Sequence, residues 1–308
     1  MIRVFDREAE LNAIPWPEGK RVAIKPNLTY PRHKQGVTTT TEVLERVVVE
    51  LRKRNNEVWV VESDGGYGAW QCEQAMEGHG IPEMVARHGA HWKNLTKSEW
   101  VHLDVRRGLR RIKLPFSRFL RDEIDVFITM PVPKVHCMTG VTLGMKNQWG
   151  VVPDPLRMNF HYMIDPSLLA INKSLPSPMV IADGTWFLDG NGPLDGNPLR
   201  KDLIIQADSI GEFDRYMCDL MSVDPTTIAH LSHGMKDGFV PRRMEDLEYD
   251  AERLEALRYK AVLKRTPRNW MVLTFFHSKY LTRLIYTSWF GRALHRVFYA
   301  IVGQPTMS

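Results

Sequence analysis

Four side chains within one stretch of this 308-residue sequence are of types that could do chemistry together: Lys134, His136, Lys146 and His161. They lie in PVPKVHCMTGVTLGMKNQWGVVPDPLRMNFH (Pro131–His161), a segment broken up by glycines and prolines. Charged groups are costly in an apolar interior unless they are paired. Four of them on such a segment point to an anionic ligand, a metal or proton transfer. An imidazole near its ordinary pKa of about 6.5 gives and takes protons at neutral pH. A lysine whose pKa is lowered by burial becomes a nucleophile or a Schiff-base partner. A second, neutral imidazole suits a borderline metal. The same lysines would serve as point charges for a phosphate or carboxylate. The plain alternative is two solvated lysines and two incidental histidines, and spacing alone leaves all of these open.

Other candidates lie further along the chain. Lys25 and Asn27 flank Pro26, which fixes the backbone between them, at the end of a strand-like run. Lys25 reads as an anion contact, against the alternative of an edge lysine reaching water. ESDGGYG (Glu62–Gly68) offers carboxylates on a glycine turn, for ribose hydroxyls, a hard cation or no ligand at all. ADGTWFLDGNGPLDG (Ala182–Gly196) holds Asp183, Asp189 and Asp195 among four glycines but lacks the bidentate glutamate of a calcium loop. It is expected to form a tight cleft wall with Asp183 as a lysine partner, against the alternative that tight turns alone explain the glycines. Lys25, Asn27, Asn147 and Asp183 therefore join Lys146 as candidate cofactor contacts. His88, His91, His102, His230 and His233 read as surface or packing residues.

These residues need a scaffold. The runs Arg21–Asn27, Glu57–Gly66, Asp125–Pro133, Met179–Gly184 and Asp202–Asp208 have the short, continuous apolar character of buried parallel strands. Thr38–Asn55 has Val43, Leu44, Val47, Val48 and Leu51 at helical spacing behind a threonine run, with weaker helical patterns at Gly211–Val223 and Asp224–Met235. Alternating strands and helices predict an α/β fold with a mostly parallel central sheet and flanking helices. In such sheets ligands bind beyond the C-terminal strand ends, where the polar and glycine residues fall here. The expected division is an α/β domain over 1–250 and a basic, aromatic-rich helical appendage over 251–308.

Composition sets the outer limits. At 44% apolar and 25% charged residues the chain is too hydrophobic for general disorder. Three cysteines without a CxxC pair argue against a disulfide framework, a zinc knuckle or a thiolate-held cluster, and suit a reducing cytosol. The N-terminal twenty residues, interrupted by charges, read as neither signal peptide nor membrane span. The last acid is Glu255, and the 53 residues beyond it carry nine Lys/Arg. In that tail Leu273, Phe276, Tyr280 and Leu284 form an apolar stripe beside Lys279 and Arg283. Phe290, Leu294, Val297, Phe298 and Ile301 form another, opposite Arg292, His295, Arg296 and Tyr299. Such helices dock on the body, join copies into a homo-oligomer, or lie on an anionic membrane. No motif accompanies the charge to suggest nucleic acid. The expected location is cytoplasmic, with peripheral association at the inner membrane surface as the alternative.

The motifs KPNL (Lys25–Leu28), PVPKVH (Pro131–His136), GMKNQWG (Gly144–Gly150) and DGNGPLDGNP (Asp189–Pro198), continued by Ala207–Asp214, resemble in order those of the domain-of-unknown-function family 362 (DUF362), over about Val22 to His233. A second resemblance brings chemistry. Lys-x-His, a glycine-rich stretch, Gly-x-Lys, proline and Asn-x-His is similar to the core segment of lactate racemase. That resemblance implies that Lys146 holds a nickel-bearing pyridinium nucleotide, that His161 ligates the metal and that His136 moves the proton. Lys134 stands beside them as a catalytic candidate, and His136 as a second candidate metal ligand. Together these readings predict a metal- or cofactor-dependent epimerase, racemase or oxidoreductase acting on an anionic hydroxylated small molecule. The alternatives are a non-catalytic binder of an anionic metabolite or nucleotide, and a membrane-surface protein handling a lipid-linked or glycan substrate.

Overall fold

A computed structural model describes residues 1–66, 69–276, 278–286, 288, 289 and 291 of the chain. The strands are β1 (Ile2–Asp6), β2 (Arg21–Pro26), β3 (Glu57–Glu62), β4 (His91–Asn94), β5 (Trp100–Arg107), β6 (Arg110–Ser117), β7 (Val126–Met130), β8 (Lys134–His136), β9 (Gly140–Thr142), β10 (Met179–Asp189) and β11 (Asn197–Ala207). The helices are α1 (Thr41–Arg52), α2 (Cys72–Gly78), α3 (Ile81–Arg87), α4 (Arg118–Asp122), α5 (Gly144–Asn147), α6 (Ile164–Lys173), α7 (Ile210–Leu220), α8 (Ala229–Asp237), α9 (Ala251–Leu257), α10 (Pro267–Phe276) and α11 (Lys279–Tyr286).

The main sheet runs β1-β11-β10-β7-β2-β3-β4. Its pairings from β10 through β7, β2 and β3 to β4 are parallel, whereas β11 and β1 close one edge antiparallel. The hairpin β5–β6 forms a separate small sheet. Both faces of the main sheet are covered, which explains the continuous apolar runs. Val22, Ile24, Val58, Val60, Ile128 and Met130 pack with α1, α2 and α3 on one side. Ala23, Val61, Phe127, Val180 and Ala182 pack on the other, with α6, α7 and α8. The chain is thus the mostly parallel α/β fold with flanking helices that its pattern predicts.

From β2 the chain steps to β3 and β4 on one side, then crosses to β7 on the other. That reversal opens a crevice beyond the C-terminal ends of β2 and β7, the usual ligand position in open parallel sheets.

The structure corrects one expectation about Asp183. The strand does not stop at Gly184 but continues to Asp189 through a register shift between Gly184 and Trp186. Asp183 is buried within it and contacts no lysine. Its carboxylate accepts the backbone N–H of Thr40 (2.6 Å) and the Thr40 hydroxyl, and also the N–H and hydroxyl of Thr185 (3.0 and 2.6 Å). Thr40 is the residue that precedes α1 and makes no side-chain cap of its own. Asp183 therefore fixes the start of α1 from across the sheet, a role that orphan helix N–H groups and four charge-assisted bonds explain.

After α9 the chain returns beside the glycine-rich loop that follows β10. Gly190 donates to the carbonyl of Val262 (2.7 Å) and accepts from the N–H of Lys264 (2.9 Å). The α10–α11 pair then packs on the 3-10 turn Arg157–Met163. The second expected stripe, Phe290 to Ile301 with Arg292, His295, Arg296 and Tyr299, lies outside the described residues. Among the described residues no helix is long and apolar enough to cross a membrane.

Asp183→Asn puts an amide N–H₂ where four donors converge. It should lower the unfolding free energy by about 2–4 kcal/mol, read from the urea midpoint. An unchanged midpoint would remove Asp183 as the anchor of α1.

Candidate functional site

The crevice is a cleft of about 240 Å³. Lys25 and Asn27 enter it from the end of β2 and Glu62 from the end of β3. Lys134 and His136 come from β8, a short strand added to β10 through Lys134 opposite Leu188. Lys146 and Asn147 come from α5, Trp149 and Gly150 follow it, and Arg157, Met158 and His161 come from the 3-10 turn. The four residues singled out in the Pro131–His161 segment thus share one cavity, together with Lys25, Asn27 and Asn147. Asp183 does not line it.

Lys25 and Glu62 form a buried ion pair of 2.7 Å, and Lys25 also donates to the carbonyl of Pro26 (2.7 Å). The charge of Lys25 is thus matched from within the protein, and Glu62 is that match. Gly150 lies directly over the pair. A Cβ there would stand 2.6 Å from Glu62 Oε1 and 2.8 Å from Lys25 Nζ, so a larger residue would have to displace the pair. Asn147 ties α5 to the sheet by donating to Thr129 Oγ1 (2.9 Å) and to the carbonyl of Lys25 (3.3 Å).

The position of α5 depends on Asp214, which lies on α7 and is fully buried. Its carboxylate accepts the N–H groups of Gly144 (2.6 Å) and Met145 (3.0 Å). A Cβ on Gly144 would stand 2.8 Å from Asp214 Oδ1. Burial raises the Asp214 pKa to about 7, against the pull of those two N–H bonds. Asp214 is a positioning group for Lys146, two residues into the helix that it anchors.

The cations of the cleft are unequal. Lys134 is 1% exposed and donates to the carbonyl of Val37, with no carboxylate beside it among the described residues. Burial, then Lys146 and Lys25, push its pKa well below the usual lysine value. Lys146 is half-buried and makes no hydrogen bond or ion pair among the described residues. Burial above all, with Arg157 and Lys25 adding repulsion, lowers its pKa to about 8. Arg157 donates to the carbonyl of Asp64 (2.8 Å). His161 meets the ring of Trp149 edge-on at 5.2 Å. Burial, then Lys146 and Arg157, hold its pKa near 3 against backbone hydrogen bonds at Met158 and Arg157. His136 is pushed well below the ordinary histidine value, by burial first and then Lys146, Lys134, His161 and His230. Both imidazoles are therefore neutral at physiological pH. The cleft presents Arg157, Lys146 and Lys134 to a ligand, and the one carboxylate lining it among the described residues is already committed to Lys25.

Sequence reasoning passed over three contributors. Arg157 stands four residues before His161, a helical spacing that could have marked it. Glu62 was noticed as a turn carboxylate but not as the partner of Lys25. His230, expected as a surface or packing residue, is fully buried behind the cleft on α8. Burial above all, with the charge of Lys146, brings its pKa to about 3, and neither ring nitrogen has a hydrogen-bond partner among the described residues. No local pattern marks it.

The donor set does not fit a metal held by protein ligands alone. Among the described residues no group of three or more His, Cys, Asp or Glu side chains is placed to hold one. The metal roles inferred for His136 and His161 would need donors from elsewhere.

Comparison with known proteins gives one family and two individual likenesses. The family model described as Domain of unknown function (DUF362) matches residues 22–219. A thylakoid-associated protein of Synechocystis sp. is 27% identical over 130 residues, covering 40% of this chain and 40% of its own length. A crystallised protein from Thermotoga maritima superposes with a TM-score of 0.38 at 13% identity, over 62% of this chain and 50% of that one. The chain thus spans about two fifths of the first relative and half of the second. The likeness to lactate racemase rests on its short motif alone.

Breaking the buried pair should cost more than deleting it. Lys25→Met leaves Glu62 buried and uncompensated and should cost about 3–5 kcal/mol, whereas Lys25→Met with Glu62→Leu should recover most of that loss. Chemical denaturation of wild type, Lys25→Met, Glu62→Leu and the double variant closes the cycle. Additive losses would mean that the two groups do not act as a pair.

Proposed function

The chain belongs to the DUF362 family, and from the chemistry of its cleft we propose that it is an enzyme acting on an anionic hydroxylated small molecule, by an isomerase or oxidoreductase type of reaction. The observation that carries this reading is Lys146, a side chain with no protein partner among the described residues, placed among Lys134, Arg157 and two neutral imidazoles. An amine with a pKa near 8 is present in both forms close to neutral pH. As the ammonium it holds an anion. As the amine it accepts a proton or adds to a carbonyl. Arg157 supplies charge to orient the anion, and Lys134 stands beside it as a further hydrogen-bond donor.

The cofactor implied by the lactate racemase motif, a nickel-bearing pyridinium nucleotide, would take Lys146 as its anchor and His161 as the protein's ligand to the metal. The described residues offer no further set of ligands, so no step is assigned to a metal.

A non-catalytic anion binder would use the same lysines only as charges. The two are separated by incubating the protein in D₂O with a panel of 2-hydroxy carboxylates and sugar acids. Wild type should exchange the carbon-bound hydrogen, seen by NMR, and Lys146→Arg should not. Exchange by neither, with phosphate or carboxylate binding intact in both, leaves the binder. The pH dependence follows from the same amine. Below about pH 8 Lys146 is charged and holds an anion, and above it the charge and much of the affinity disappear. The affinity for a carboxylate probe, measured by calorimetry between pH 6.5 and 9.5, should fall through about pH 8 in wild type and stay flat in Lys146→Arg.

A second reading concerns location. Trp270, Tyr280 and Trp289 are 58%, 82% and 76% exposed, in a region without a single acid after Glu255. The helices α10 and α11 that carry the first two rest on the turn holding Arg157 and His161. Aromatic side chains among basic ones suit an anionic lipid surface. A relative bears the name of a thylakoid-associated protein. On this reading the chain is peripheral to a membrane, with its cleft close to the surface. Vesicles containing phosphatidylglycerol should sediment the wild type at low salt. The triple variant Trp270→Ser, Tyr280→Ser, Trp289→Ser should remain in solution. Equal behaviour of the two would leave docking between copies, read from the mass in solution.

A further inference from the structure

A neutral imidazole carries one proton, and the hydrogen bond at one nitrogen decides which nitrogen holds it. At His136 that bond is given by the fold. Nδ1 accepts the backbone N–H of Met138 at 3.1 Å, with the N–H of Thr139 behind it at 3.4 Å. Both donors belong to the turn joining β8 to β9. A backbone N–H cannot become an acceptor, so a proton on Nδ1 would face a donor.

The turn is braced on each side. Cys137 donates its N–H to the carbonyl of Gly192 (2.8 Å), and its own carbonyl accepts from Arg265 Nε (2.6 Å). Gly192 lies so close to β8 that a Cβ would stand 1.9 Å from the carbonyl oxygen of Val135. Gly140, which ends the turn, has φ +82 and would bring a Cβ to 2.3 Å from Ile228. The turn donors therefore stay aimed at Nδ1. Among the described residues the groups that weigh most on the ring are the Lys134 and Lys146 amines and the imidazoles of His161 and His230. None is a carboxylate that would favour an imidazolium.

We propose that His136 serves the cleft as a fixed hydrogen-bond donor through Nε2–H and is not the base, so that a ligand must place an oxygen acceptor against it. This rests on the reading of the cleft as a ligand site and refines it. It revises the acid–base role that the racemase motif implied for His136. The proton that moves belongs to Lys146, while His136 polarises a carbonyl, carboxylate or phosphoryl oxygen, as a neutral imidazole can. Ligands with an oxygen at that point are accepted. Those with an ammonium or a methylene there leave the N–H unmatched and are rejected.

Two measurements on the full chain test this. With ¹⁵N-labelled histidine, long-range ¹H–¹⁵N spectra at pH 7 should show His136, assigned by its loss in His136→Gln, as the neutral Nε2–H tautomer. An Nδ1–H tautomer or an imidazolium overturns the proposal. Titration with inorganic phosphate should then find binding within about fivefold of wild type for His136→Gln, whose amide N–H₂ can replace Nε2–H, and at least about tenfold weaker for His136→Leu, which adds no charge and cannot donate. Equal losses in both variants, from protein that still folds by circular dichroism, also overturn it. If wild type shows the Nε2–H tautomer but binds neither phosphate nor carboxylates, the reading of the cleft as an anion site fails. The tautomer would then stand, and the demand on a ligand would fall.

Discussion

Positive charge held out of water is the constraint around which this structure is arranged. Lys25, Lys134, Lys146 and Arg157 converge where β2 and β7 end, and among the described residues only Lys25 has a carboxylate in an ion pair with it. Leaving an ammonium unpaired in such a place costs free energy that the protein reduces in two ways. It lowers the pKa of Lys134 and Lys146, and it gives Lys134 a backbone carbonyl. What remains is a cleft whose unmet electrostatic demand is for an anion. The surrounding imidazoles are kept neutral by the same burial and the same lysines.

The motifs around the cleft become intelligible as supports for that charge. The glycine that closes GMKNQWG lies on the Lys25–Glu62 pair, and the glycine that opens it lies on Asp214. Asp214 comes from the stretch Ala207–Asp214, about seventy residues later, so two separate motifs prove to be the two sides of one contact. The glycine-rich loop after β10 touches the back of β8 and braces the turn that orients His136. In each case a close approach leaves little room for a side chain, most severely at Gly192, where the neighbour is backbone.

The same economy places the C-terminal region. The chain beyond α9 binds the glycine-rich loop through Val262 and Lys264 and the His136 turn through Arg265, before α10 and α11 cover the turn that carries Arg157 and His161. The basic segment is therefore in contact with three of the loops that shape the cleft.

The sequence by itself determined the scaffold and the neighbourhood of the site. Runs such as RVAIKP and DVFITM can only be buried on both faces, and helical spacing in Thr38–Asn55 can only be satisfied against them, because apolar periodicity is a local property. The convergence of Lys134, His136, Lys146 and His161 was legible for the same reason, since all four lie on one irregular segment after a strand. Tertiary structure alone decided the partners. Glu62 reaches Lys25 because β3 pairs with β2. Asp183 goes to the start of α1 and not to a lysine because β10 continues past Gly184. His230 comes to lie behind Lys146 because α8 packs on that side of the sheet. Which nitrogen of His136 carries its proton was fixed by a turn and by the loops braced against it. Pairing, tautomer and pKa are set by atoms distant in the chain and near in space, and no spacing along the sequence encodes them.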